Sequence, residues 1–155
     1  MKRYALVLAL VMALAAGFGC AKKNTVEPGY DDGLTPEMRA AIQQITDARV
    51  YFTFDKFDIQ PEYKDMLKAK ADLMKQYPSI RVRIEGNCDE RGTQEYNLAL
   101  GERRARAAYE YLVTLGVSPS QLEMISYGKE NPAVQGTGDA VWAKNRRDDF
   151  RVIAH

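Results

Sequence analysis

The chain has 155 residues, enough for one domain with its own core plus a tail. Its formal charge is +1, with 22 basic and 21 acidic residues. That balance lacks the basic excess that nucleic-acid-binding proteins usually show, which argues against a nucleic-acid partner.

The first element is MKRYALVLALVMALAAGFGC. Lys2 and Arg3 form a positive start, Tyr4 to Ala16 is an unbroken apolar run, and small residues precede Cys20. This is the layout of a secretory signal, and the run is shorter than the roughly 20 residues a spanning helix requires. The cysteine at its end resembles a bacterial lipoprotein signal, in which residues 1–19 are removed and Cys20 takes up lipid. Gly17 and Phe18 depart from the usual residues of such signals. An uncleaved anchor or an ordinary secretory cut are the competing outcomes. Cleavage would remove two basic residues and no acid, leaving the balance near neutral. Cys20 and Cys88 are the two cysteines of the chain. Lipid on Cys20 forbids a disulfide between them, which is the other expectation for an exported protein.

Residues 20–47 read as a tether. The stretch AKKNTVEPGYDDGLTPE is polar, punctuated by Pro28, Gly29, Gly33 and Pro36, and has no periodicity. Thr35 to Thr46 within it is predicted as a short helix, with Thr35 as N-cap and Pro36 at the first helical position.

The domain is expected over residues 48–155. VYFTF, from Val50, is β-branched and aromatic and reads as a strand. PEYKDMLKAKADLMKQYP, Pro61 to Pro78, repeats apolar residues at helical spacing. IRVRIEG alternates, with Ile80, Val82 and Ile84 on one side and Arg81, Arg83 and Glu85 on the other, as in a half-buried strand. Gln94 to Leu115 is predicted as a helix stopped by Gly116. Its core face is expected to carry Leu98, Gly101, Ala105, Ala108, Tyr109 and Leu112, with small residues for close approach to a sheet. LEMISYG reads as a third strand, KENPAVQGTGDAVWAKN as a long loop and DDFRVIA as a last strand. The order β-α-β-α-β-β predicts an α+β fold, with helices packed on a mixed four-stranded sheet.

Catalysis is poorly provided for. The single histidine, His155, is the terminal residue, so no Ser-His or Cys-His pair is credible. The acids beside Cys88 would make its thiol less reactive. Asp89 and Glu90 are neighbours in a turn and point different ways, unlike an acid–base pair. No His, Cys, Asp or Glu cluster has metal-ligand spacing, and no cofactor is expected.

A charged clamp is better motivated. Asn97 and Arg104 are two helical turns apart on one face, with Leu100 between them. The loop holding Asp89 leads into that helix. Asp89 and Arg104 can therefore approach each other, either to form an ion pair or to grip a ligand bearing both an ammonium and a carboxylate. Spacing favours the ion pair.

Four stretches, VYFTFDKFDI, EGNCDERGTQEYNLALGERRA, SYGKENPA and KNRRDDF, resemble the OmpA-like peptidoglycan-binding domain family in the same order, over about residues 48–154. The resemblance implies a noncatalytic module that grips diaminopimelate in the peptide stems of the cell wall. It implies Asp89 and Arg104 as the principal ligand contacts, Phe54 and Asp55 lining the pocket, Asn97 and Leu100 on the helix, and Arg147 as a basic residue beside the site. It further implies an outer-membrane lipoprotein with peptidoglycan as ligand and Tol-system proteins as partners. A stator-type anchor would need a retained membrane helix, and a wall-acting enzyme would need a nucleophile, base or metal. The family loop usually reads Gly-His-Thr or Gly-His-Ala before its aspartate, whereas this chain has Gly86-Asn87-Cys88. Asp148 and Asp149 also depart from the family pattern, and Asp148 is open to pairing with Arg146 or Arg147, or to repelling a ligand carboxylate. Replacing the sulfur tests the anchor: Cys20→Ala is expected to move the protein from the membrane to the soluble fraction on cell fractionation.

Overall fold

A computed structural model describes residues 33–155. The signal, Cys20 and residues 21–32 of the expected tether lie outside the described residues. Thr35 caps the first helix, α1 (Pro36–Asp47), by accepting a hydrogen bond from the Met38 N–H at 3.2 Å. Next come β1 (Val50–Tyr51), α2 (Lys64–Gln76) and β2 (Arg81–Asn87). Then follow α3 (Gln94–Thr114), β3 (Leu122–Gly128), α4 (Asp139–Asn145) and β4 (Arg147–Ala154). The strands form one mixed sheet in the order β1-β4-β2-β3. β2 runs parallel to β3, and β4 is antiparallel to both β1 and β2.

Alternation sorts the sheet into two faces. Val82, Ile84 and Phe150 join Ile45, Leu67, Met74, Ala105, Ala108 and Leu112 in one buried cluster beneath the helices. The other face carries a charged ladder. Arg81 and Arg83 share Glu123, at 2.7 and 3.3 Å, and Arg147 and Arg49 share Asp149, both at 2.8 Å. Buried Lys70 ties α1 to α2. Its ammonium donates to the Ile45 carbonyl at the end of α1 and lies 4.5 Å from the Phe150 ring centroid.

Three expectations need correction. The first strand does not extend through Phe54. It stops at Tyr51 because the chain turns at Thr53–Lys56, closed by the Lys56 N–H on the Thr53 carbonyl at 3.2 Å. Asp55 sits in that turn at φ 57°, a left-handed conformation that aspartate tolerates better than most residues. The long loop is broken by α4, which starts after Gly138 at φ 102°. The element order therefore has one more helix than expected between the last two strands. The core face of α3 also differs: Leu98 is 39% exposed, while Asn97, Leu100 and Arg104 are buried beside Gly101, Ala105, Ala108 and Leu112.

Helix α3 reaches the sheet through a pair of glycines. A Cβ on Gly86 would stand 2.0 Å from the Gly101 carbonyl oxygen, and one on Gly101 would stand 2.3 Å from the Ser126 Oγ. Both gaps are far inside van der Waals contact with atoms that have little room to move. Gly86→Ala is expected to destabilise the fold by about 3 kcal/mol, at the upper end for overpacking, as measured by urea denaturation.

Asp148 is the odd residue on the core-facing side of β4. It is fully buried, and among the described residues neither carboxyl oxygen has a hydrogen-bond partner. Burial pushes its pKa well above the ordinary aspartate value, against the nearby Arg104 charge. A folded pKa above the unfolded one means stability is lost as pH rises above the ordinary aspartate range. Asp148→Ala is therefore expected to stabilise the protein at pH 7 by about 1–3 kcal/mol, the usual cost of a buried unpaired polar group. The gain should shrink as the denaturation is repeated toward pH 4.

Candidate functional site

The site is assembled where β2 ends. The register with β3 slips between Gly86 and Asn87, which turns the following residues out of the ladder. The Cys88 N–H holds the Gly128 carbonyl at 2.7 Å, and Gly92 at φ 86° redirects the chain toward α3. Thr93 caps α3 by accepting from the Tyr96 N–H at 3.2 Å. Buried Asn97 uses its side-chain amide to donate to the Arg91 and Thr93 carbonyls, at 2.7 and 3.0 Å. Asn97 therefore fixes the loop against the helix.

Arg104 lies two turns further along, fully buried. Its guanidinium donates to the carbonyls of Lys56 at 2.9 Å, Asn87 at 2.9 Å and Thr53 at 3.5 Å, and to the Cys88 sulfur at 3.3 Å. It also stacks 5.0 Å from the Phe52 ring centroid. One cation thus ties the Thr53–Lys56 turn to the end of β2. Burial lowers its pKa from the ordinary arginine value, partly offset by Cys88 and Asp148. The Cys88 thiol donates to the Asn97 carbonyl at 3.3 Å, and burial pushes its pKa up to about 11.

Asp89 does not pair with Arg104. Its carboxylate accepts from Arg91 Nη2 at 2.7 Å, Arg91 Nε at 3.0 Å, the Arg91 backbone N–H at 3.1 Å and Arg146 Nη1 at 3.2 Å. Burial works to raise the Asp89 pKa, but these hydrogen bonds outweigh it and hold the carboxyl below its ordinary value. Asp89 is therefore an anion at neutral pH. Arg91 in turn lies between two rings, 4.2 Å from the centroid of Phe54 and 4.1 Å from that of Trp142. The Trp142 indole N–H donates to Glu90 at 2.9 Å, which fastens α4 to the loop.

A pocket of about 230 Å³ opens between these elements, lined by Asp89, Arg91, Arg104 and Arg146 on its charged side and by Phe54 and Leu100 on its apolar side. Six of the residues expected at the site, Phe54, Asp55, Asp89, Asn97, Leu100 and Arg104, line it. The turn at Asp55 throws Phe54 outward, where it is 62% exposed, and the Tyr96 hydroxyl donates to the Asp55 carboxylate.

Arg147 is not part of this pocket. It is a strand residue on the face turned away from α3, where it pairs with Asp149 and donates to the Asn131 carbonyl at 3.2 Å. Arg146, one residue earlier, takes the place expected of it. Parity along β4 carries the signal: Phe150 marks the core side, and 148 and 146 share it. Asn87 also points to the far face, with its side-chain amide on the Glu85 carbonyl at 2.8 Å. The departure at Asn87 therefore falls outside the pocket, while Cys88 lines it. Asp148 pairs with neither neighbouring arginine. Arg91, Tyr96 and Trp142 are further site residues that helical and strand periodicity did not single out, since they sit in a loop, on an exposed helix edge and on α4.

The sequence profile of the OmpA family matches residues 51–146. A peptidoglycan-associated lipoprotein from Pseudomonas putida is 42% identical over 97% of this chain and 98% of its own length. The crystal structure of the peptidoglycan-associated lipoprotein from Burkholderia pseudomallei superposes with a TM-score of 0.66 at 46% identity, covering 67% of this chain and 88% of that one. The C-terminal domain of Helicobacter pylori MotB shares the fold, with a TM-score of 0.65 at 21% identity over 70% of this chain and 85% of that one. A match through the strands and helices that build the pocket, joined to likeness over nearly the full length, shows that the chain belongs to the OmpA family, among its peptidoglycan-associated lipoproteins.

Proposed function

We propose that the protein is a noncatalytic wall-binding lipoprotein whose pocket receives the ammonium-and-carboxylate end of diaminopimelate in peptidoglycan stem peptides. The observation that carries this reading is the pocket itself: ionised Asp89 and buried, cationic Arg104 line one cavity together with the apolar side chains of Phe54 and Leu100. Opposite charges at separate points suit a zwitterion, and the apolar wall suits the methylene chain that joins the zwitterion to its peptide. Arg146 supplies a second cation for the carboxylate. Asp55 and Asn97 shape the mouth and the loop. Names of the relatives support the same ligand class.

In this reading Cys20 carries the lipid, the anchor is the periplasmic face of the outer membrane, and the residues between Cys20 and α1 span the gap to the wall, since α1 packs into the domain through Ile45. Each pocket holds a stem peptide modestly, since it is small and much of its charge is already paired. Retention comes from many stems on one polymer acting with the membrane anchor. Tol-system proteins are the proposed partners. In this reading the chemistry is binding alone, and the Cys88 thiol stays protonated near neutral pH.

Sedimentation with purified diaminopimelate-type peptidoglycan checks the assignment. Asp89→Ala and Arg104→Lys are each expected to lose at least about tenfold in binding, since each removes charge-assisted contacts worth about 1.5–3 kcal/mol apiece. Wild-type binding in both variants, or release of soluble wall fragments by the wild-type protein, would overturn it.

A further inference from the structure

The carboxylate of Asp89 has no room for a ligand. A carboxylate offers about four lone-pair positions. Here Oδ1 accepts from the Arg91 backbone N–H and Nε, and Oδ2 accepts from Arg91 Nη2 and Arg146 Nη1, which is four donors in all. An incoming ammonium can reach Asp89 only if one donor leaves.

The donors are not equally held. Arg146 is pinned: its Nε donates to the Phe52 carbonyl at 2.9 Å, and its side chain is only 13% exposed. The Arg91 backbone N–H belongs to the turn. The Arg91 guanidinium is the exposed one, with a side chain 33% open to solvent and two of its bonds on Asp89. Its remaining support is the stack on Phe54, which lines the pocket, and on Trp142, which is held by Glu90. A sandwiched guanidinium can slide or swing along such rings without losing all of its contact.

We propose that the Arg91 guanidinium is a resident competitor for the cation subsite of Asp89, latched by Phe54 and Trp142, and that ligand binding proceeds by displacing it. This rests on the reading that Asp89 receives the ligand's ammonium. Arg91 then works as a specificity filter. A cation too weak to displace the guanidinium is refused, whereas a ligand that also engages Arg104 and the apolar wall gains enough to open the latch. The displacement lowers apparent affinity by the fraction of molecules that have the subsite free.

Calorimetry on the full-length chain tests this, with the tripeptide L-alanyl-D-γ-glutamyl-meso-diaminopimelate as probe. The control peptide ends in 2-aminopimelate, which keeps the carboxylates and lacks the free ammonium. Arg91→Ala is expected to bind the diaminopimelate peptide about tenfold tighter, with no gain for the aminopimelate peptide. Trp142→Ala, which removes one wall of the latch, should gain less in the same direction. In the wild type, Trp142 is the single tryptophan, so its emission should change as the peptide saturates the site. Unchanged or weaker binding by Arg91→Ala, with wild-type binding intact, overturns the latch and leaves the functional reading standing. An unresponsive Trp142 at saturation overturns the latch equally. Failure of both wild type and Arg91→Ala to bind overturns the two together.

Discussion

Everything about the site depends on one buried cation. Arg104 is fully buried, and four of its five N–H donors go to the carbonyls of Thr53, Lys56 and Asn87 and to the Cys88 sulfur, which leaves one on Nη2. Those partners come from two segments far apart in sequence, the turn after β1 and the end of β2. Remove the guanidinium and three carbonyls face a pocket wall with no donor. A lysine would not substitute, because a point charge with three donors cannot reach across a planar fork of this width. The glycine pair places α3 close enough for this reach: with a larger residue at Gly86 or Gly101 the helix would ride higher and Arg104 would fall short of the sheet.

Around that cation the charges are arranged in layers. Asp148 is fully buried nearby with neither carboxyl oxygen hydrogen-bonded, and burial pushes its pKa up while the Arg104 charge opposes that rise. Asp89 lies above, ionised and surrounded by Arg91 and Arg146. On the far side of the sheet, Arg147, Arg49 and Asp149 form their own group. The two clusters sit on opposite faces of β4, and strand alternation keeps them apart.

Much of the fold was legible in the sequence because local rules agreed with tertiary demands. Thr35 before Pro36 marked the start of α1, Gly116 marked the end of α3, and the alternation from Ile80 to Glu85 marked β2 and its buried side. The failures have a common cause. Leu98 was assigned to the core because it is apolar, but that edge of α3 belongs to solvent, and the buried places go to Asn97 and Arg104. Hydrophobic periodicity cannot see a face on which polar side chains are buried for the sake of their hydrogen bonds. The first strand was overextended for a related reason: Phe54 looks like a strand residue, yet it is turned out to form a pocket wall and to stack on Arg91. The helix α4 was hidden in a segment crowded with glycine and proline, where its seven residues are too few for a period to emerge. Within the site, six expected residues line one pocket, whereas Arg147, which the resemblance put beside it, pairs with Asp149 and Arg146 lines the pocket instead.

The thiol of Cys88 carries a consequence of a chemical kind. It is enclosed by Arg104 and the Asn97 carbonyl, and its pKa of about 11 leaves roughly one molecule in ten thousand ionised at pH 7. Thiolate is the species that attacks disulfides and is oxidised by peroxides. A free cysteine in an exported protein is ordinarily a hazard, open to mispairing during folding and to slow damage afterwards. Here the same packing that builds the pocket floor buries the sulfur and keeps it protonated once the chain has folded, which slows both reactions without a disulfide partner.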